Sequence, residues 1–349
     1  MLASNFFMSV KKNAVIKIEG YMKNIHLSSV LLLAVIFGAG TVYGIIIHRY
    51  EVFPYEIIKK VYHRNSNTDR TYGPWSIGIY KGPSPFNLEA PQEIRNPVIT
   101  RKDVADIDAA FTADPFLISE GENHYLFFEV FNRDTNQGDI SYAESTDLAT
   151  WKYKKVIIDE EFHLSFPYVF KWNNTYYLIP ESHEDFSIRL YRAVDFPEKW
   201  EYIDKLLIGY RYTDNAIFRH ADKWWMFVST GSMNFLHLYF SDDLLHGWKP
   251  HPLNPIVQYD KNFSRPAGRV FRYRNKLHRL AQDDEPSYGI RVFAFEITEL
   301  TEESYSERLV SEKPLVDKTG SGWNAAGMHH VDLHKIGNEW VAAVDGRDK

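Results

Sequence analysis

Asp114, Glu181 and Asp214 stand at the starts or ends of segments that recur along this sequence, and Glu129, Asp283 and Asp345 occupy matching places. Paired carboxyl groups do general acid–base or nucleophilic work. One protonates a leaving oxygen while the other attacks or activates water, which requires two pKa values pushed apart. Arg265, Gln282, His329 and His330 fall at corresponding positions and add cationic and hydrogen-bonding groups. Each member also has a plainer use. Asp114 before Pro115 suits an Asx turn, and Glu181 after Pro180 suits a solvated rim. Arg265 suits a structural bridge to Asp283, and the histidine pair suits hydrogen bonding within a strand.

What would gather these groups is a repeat. A strand-opening segment occurs at Ala113–Ile118, Phe166–Phe170, Asp214–Phe218 and Arg265–Phe271, with a looser copy at Met328–Leu333. Each is followed by a polar turn and an aromatic-rich strand, as in Asn173-Asn174 before Tyr176-Tyr177-Leu178-Ile179. Turn chemistry and β-propensity make these hairpins. A further turn ending in Trp follows at Ser145–Trp151 and Ser241–Trp248, with a variant at Asp195–Trp200. Four strands in each period of about fifty residues predict the blades of a β-propeller. The fifth copy stops after its second strand. Trp75–Tyr80 supplies its third strand, and Pro97-Val98-Ile99 its fourth. The expected fold is therefore all-β: one five-bladed propeller closed by both chain ends.

In such a hairpin the start of the first strand and the end of the second lie together, and the first strand lines the axis. The pattern therefore pairs Asp114 with Glu129, Phe166 with Glu181, and Asp214 with Thr230. It also pairs Arg265 with Gln282 and Asp283, and His329 or His330 with Asp345. All should ring one axial pocket. Like charges so crowded require an offsetting ligand, metal or cation.

The net charge of −6 carries no broad basic footprint, which argues against nucleic acid as a partner. Cysteine is absent, which excludes disulfides, thiol catalysis and Cys-ligated zinc. No Walker loop, dinucleotide fingerprint, HExxH or GxSxG motif stands in a suitable context. Leu27–Ile47 is an uncharged apolar run long enough to cross a bilayer as a helix, and too long for the core of a signal peptide. The expected layout is a tail over 1–26, a membrane anchor over 27–48, a juxtamembrane stalk over 49–72 and the propeller over 73–349. Basic residues flank the span equally and leave its orientation open.

Ala113-Asp114-Pro115-Phe116, Ile179-Pro180-Glu181-Ser182, Arg265-Pro266-Ala267-Gly268-Arg269 and Ala281-Gln282-Asp283 together resemble the N-terminal propeller of the glucosamine inositolphosphorylceramide transferase family. More distantly the chain is similar to the arabinanase, levansucrase and invertase group of five-bladed hydrolases. The resemblance implies work on a glycan or glycolipid at a membrane, with the propeller on the extracytoplasmic side. In the transferase family a glycosyltransferase domain follows the propeller; here the sequence stops at Lys349, which points to a separate glycosyltransferase as partner. By likeness to the hydrolases, Asp114 is base or nucleophile, with Glu181 as acid and Asp214 tuning or positioning. Phe166 stands where that group carries a second Asp, and Asp214 where it carries a Glu. Arg265 and Asp283 would bind sugar hydroxyls or an anionic group. Glu129, Gln282, His329, His330 and Asp345 complete the substrate-binding set. Phe166 and Tyr168 would stack on sugar faces. The hydrolase likeness also raises Ca²⁺ bound by His329 or His330 with nearby carboxylates; the alternative is no cofactor. Three functions remain: glycan binding with cleavage by paired carboxylates, a non-catalytic glycan-binding module that assists a glycosyltransferase, or a scaffold that uses the outer blade faces.

Overall fold

The computed structural model describes residues 74–230 and 234–349. The anchor and stalk expected over 27–72 lie outside the described residues. Among the described residues no helix is long and apolar enough to cross a membrane.

Each repeat folds into its own antiparallel sheet, and there are five. The first blade runs Ala109–Glu120, Asn123–Asn132, Gln137–Ser145 and Lys152–Ile158 from inside to outside. The second runs Ser165–Trp172, Thr175–Glu181, Ser187–Asp195 and Lys199–Ile208. The third has Thr213–His220, Lys223–Thr230 and Phe235–Ser241, with an outer edge split into Lys249–Pro250 and Val257–Gln258. In the fourth the inner strand is broken into Arg265–Pro266 and Phe271–Tyr273, which pair with Lys276–Asp283. Arg291–Leu300 and the outer pieces Tyr305–Leu309 and Val316–Asp317 complete it.

The fifth blade is built from both ends of the described chain. Val331–Ile336 and Glu339–Arg347 are its inner strands, and Trp75–Ser84 pairs with the latter from Trp75↔Arg347 to Gly82↔Trp340. Its outer edge differs from the expectation. Asn87–Glu89 forms the fourth strand, while Ile99 makes only a single bridge, to Ile77. Asn96 explains the gap, because its side chain takes both backbone groups of Ile79 and so occupies the edge beside that bridge.

Blade faces pack on one another, so middle strands are buried on both sides and read as continuous apolar runs. Trp224 to Val228 is an example, with every residue buried. Three inner hairpins turn through two consecutive left-handed residues: Asn173-Asn174, Ala221-Asp222 and Arg274-Asn275. Such turns match the twist of the strands that they join. The Ser-x-Asp-Leu motif is an Asx-type cap. Asp147 Oδ1 accepts the N–H groups of Ala149 and Thr150, and Asp243 Oδ1 those of Leu245 and His246. The terminal Trp donates back into that turn, from Trp151 to the Leu148 carbonyl and from Trp248 to that of Leu244.

Candidate functional site

The hairpin registers bring the predicted pairs to one mouth. Ala113 faces Glu129, Ser165 faces Glu181, Thr213 faces Ser229, and Arg265 faces Gln282. At the openers the backbone does something that the repeat pattern did not reveal. Asp114, Phe166 and Asp214 all adopt left-handed φ, at 53°, 46° and 45°. Each sits at a register shift in its ladder. Non-glycine residues seldom hold this conformation. Here the bulge frees a backbone N–H from the ladder and aims it along the rim.

Those freed N–H groups are taken by carboxylates from the preceding blade. Asp345 Oδ2 accepts the Asp114 N–H at 3.1 Å, Asp114 Oδ2 that of Phe166 at 3.3 Å, and Glu181 Oε2 that of Asp214 at 2.9 Å. Asp214 Oδ2 continues the circuit, accepting from Arg265 Nε and, at 2.8 Å, from Gln282 Nε2. The acidic ring thus links blade to blade. All of these acids are buried.

Asp345 also accepts the backbone N–H groups of His329 and His330 on Oδ1, and its Oδ2 lies 2.7 Å from His329 Nδ1. His329 Nε2 lies 3.7 Å from Asp114 Oδ1, and His330 Nδ1 3.8 Å from the same atom. Trp75 stacks on the His329 ring at 4.0 Å, and Tyr288 meets it edge-on. Phe116 and Phe166 close on His330, neither of whose ring nitrogens has a hydrogen-bond partner.

The electrostatics divide the acids into two kinds. Burial alone would raise Glu181, but His183 at 2.5 Å, then Arg265 and His163, outweigh it and hold the carboxyl below its usual range. Asp345 is likewise lowered, because His329 and His330 overcome its burial. Glu129 is pushed well up, first by burial and then by the charges of Asp114, Glu181 and Asp214. Burial also raises Asp114, against the pull of His329 and His330. Among the cations, His329 is raised, since Asp345 and Asp114 outweigh the effect of its burial. His330 is lowered by burial.

Three expected members are placed differently from the expectation. Asp283 follows Gln282 on its strand, so alternation sends its side chain to the other face. There it lies 3.6 Å from Arg291 Nε. Phe166 and Tyr168 are not open rings at the mouth: both are buried in the blade core, at 0% and 2% exposure. Phe166 packs against Phe116, and Tyr168 under the Arg269 guanidinium.

Sequence reasoning overlooked His163, His183, Tyr288 and Trp75. His163 precedes the opener Phe166 by three residues and His183 follows Glu181 by two. Extending the mouth argument into the flanking loops finds both. Tyr288, over which the Arg265 guanidinium sits, lies in the loop after Asp283. Nothing local marks Trp75.

Asp114, His329 and Asp345 bring one ligand atom each within 4.8 Å. The donor set does not fit Ca²⁺, which takes six to eight oxygen ligands. Both Asp345 oxygens already accept N–H groups, and His329 supplies only nitrogen.

A family model described as glucosamine inositolphosphorylceramide transferase 1, N-terminal, matches residues 67–347. The chain is 37% identical over 299 residues to glucosamine inositolphosphorylceramide transferase 1 of Arabidopsis thaliana, covering 78% of this chain and 39% of that protein. The protein of the same name from Oryza sativa subsp. japonica is 35% identical over 298 residues, with 78% and 40% covered. The chain thus spans about two fifths of the length of these relatives. Among solved structures it is similar to the catalytic domain of a GH62 α-L-arabinofuranosidase from Coprinopsis cinerea. There the TM-score is 0.56 at 13% identity, over 78% of this chain and 97% of that one, a likeness of fold.

Proposed function

Because the chain belongs to the glucosamine inositolphosphorylceramide transferase 1 N-terminal family, we propose that its axial pocket binds the sugar of a glycan or glycolipid. One observation carries this reading. Glu129 Oε1, Asp214 Oδ1 and Gln282 Oε1 are buried acceptors without hydrogen-bond partners, on the first, third and fourth blades. Buried polar atoms are seldom left so, and each calls for a donor. Sugar hydroxyls are donors of the right kind for several acceptors at once. In this reading Arg265 and Gln282 hold Asp214 in place, and Asp345 does the same for His329.

A second reading, glycosidic cleavage in the same pocket, rests on the split between the acids. Glu129 is raised while Glu181 is lowered. Separated carboxyl pKa values are what cleavage requires. The proton donor in this reading is Glu129 rather than Glu181, which His183 keeps ionised, and Asp114 is base or nucleophile. We further propose that 27–48 tethers the propeller to a membrane on its extracytoplasmic side, beside a glycosyltransferase activity.

The test uses the whole chain in a sugar-free detergent, as wild type, Asp214→Asn and Asp114→Asn. Calorimetry against a panel of glycans and glycolipids reads binding, and mass spectrometry reads released sugar. Binding weakened in Asp214→Asn supports the pocket. Release lost in Asp114→Asn adds cleavage to it. A wild-type chain that binds no member of the panel overturns the proposal.

A further inference from the structure

Two of the most exposed aromatic rings lie on loops that run into the mouth. Tyr210, 59% exposed, sits in the loop before Asp214, and Tyr259, 82% exposed, in the loop before Arg265. Tyr259 holds its ring out from a left-handed backbone, φ 55°, a conformation rare for a bulky side chain and concentrated at functional positions.

Both rings connect to one face of the third-blade strand Phe235–Ser241. Phe235, His237 and Tyr239 alternate onto that face and are each half-buried. Tyr259 packs edge-on against Phe235 at 4.9 Å. Tyr210 packs on Tyr212, which in turn meets Tyr239. The strip also has a polar link to the axis. Thr230 Oγ1 and His237 Nε2 are 3.0 Å apart, and Thr230 ends the strand that pairs with the opener carrying Asp214. Exposed tyrosine rings beside half-buried aromatic and imidazole groups, linked through Thr230 to the hairpin that carries Asp214, match the alternating apolar faces and hydroxyl edges of a sugar chain.

We infer that Tyr210 and Tyr259 form an outer subsite that stacks the distal residues of an oligosaccharide whose end is held at Asp214. The inference rests on the glycan-binding reading of the pocket and extends it from one sugar unit to a chain. The occupant is a neutral oligosaccharide. A lipid surface is the competing occupant for exposed tyrosines.

The test measures Kd for arabino-, cello- and manno-oligosaccharides of increasing length. It uses the whole chain in a sugar-free detergent, as wild type, Tyr259→Ala and Tyr210→Ala. In the wild type Kd should fall with length. The ratio of Kd between the shortest and longest members should shrink by about five- to tenfold in Tyr259→Ala, the loss expected for one aromatic contact. Thermal melting of each variant confirms that it is folded. Binding that is independent of length, or a length effect retained in both variants, overturns the subsite and leaves the axial pocket standing. A wild type that binds no oligosaccharide of any length refutes the pocket and the subsite together. Loss of binding to phosphatidylcholine vesicles in Tyr259→Ala, with the length effect intact, assigns the ring to a membrane and also overturns the inference.

Discussion

Replacing Asp345 by asparagine probes the tightest node of the ring. Its Oδ1 accepts the N–H groups of His329 and His330, and its Oδ2 accepts that of Asp114 and lies 2.7 Å from His329 Nδ1. An asparagine keeps one acceptor oxygen. Whichever way the amide turns, its NH₂ faces at least one of these backbone donors. A buried N–H left without a partner costs about 1–3 kcal/mol, and loss of a charge-assisted hydrogen bond about 1.5–3 kcal/mol. The expected destabilisation is about 3–5 kcal/mol, the range for breaking a buried ion pair.

Its pH dependence has a definite sign. Asp345 is lowered from its ordinary value of 3.8, so its contribution is present above that value and is lost as pH falls through the folded one. His329 is raised from 6.5, so its contribution is complete below 6.5 and is lost as pH rises through the folded value. The difference between wild type and Asp345→Asn should therefore be largest between pH 3.8 and 6.5 and shrink on both flanks. Urea unfolding followed by tryptophan fluorescence, repeated across pH, measures it. A difference below about 1 kcal/mol, no more than an average substitution, would refute the assigned contacts. A larger one that stays flat across pH would refute the ion pair.

Other expectations follow from the same contacts. Phe166→Ala removes a ring that is 0% exposed, and urea unfolding should show a loss of about 3–5 kcal/mol; a loss under 1 kcal/mol would show that the ring does not join the blades. If the pocket cleaves glycans, Glu129→Gln should slow release by roughly 10²–10⁴-fold. The wild-type rate should decline as pH rises through the raised Glu129 value, and a variant with unchanged turnover would place the acid elsewhere. Adding EDTA should leave the melting temperature where it was, and a clear drop would show a bound cation that the donor set does not predict.

Much of this architecture was legible because it is written locally. The turns Asn173-Asn174 and Arg274-Asn275, the aromatic second strands and the Ser-x-Asp-Leu caps each depend on residues a few positions apart. Once their period is seen, the blade number follows, as does closure by Trp75–Ser84. The meeting of Arg265 with Gln282, and of Glu129 with the residue before Asp114, was legible for the same reason, since hairpin register fixes which residues face each other. The outer edge of the fifth blade was less so, because Asn87–Glu89 is too short to carry a pattern.

The sequence by itself thus determined the five-bladed fold and which hairpin ends lie together. The tertiary structure decided what each side chain there touches. Asp114 meets Asp345 across 231 positions, and Arg265 meets Asp214 across 51. The bulges at the openers, the turn of Asp283 away from Gln282 and the burial of Phe166 are likewise settled by packing between blades. So is the contrast between Glu129 and Glu181. Both are acids on a second strand, but His183 lies 2.5 Å from Glu181, whereas His163 comes only within 3.7 Å of Glu129. In a buried site charge follows distance and desolvation, and neither quantity is carried by residue type or spacing.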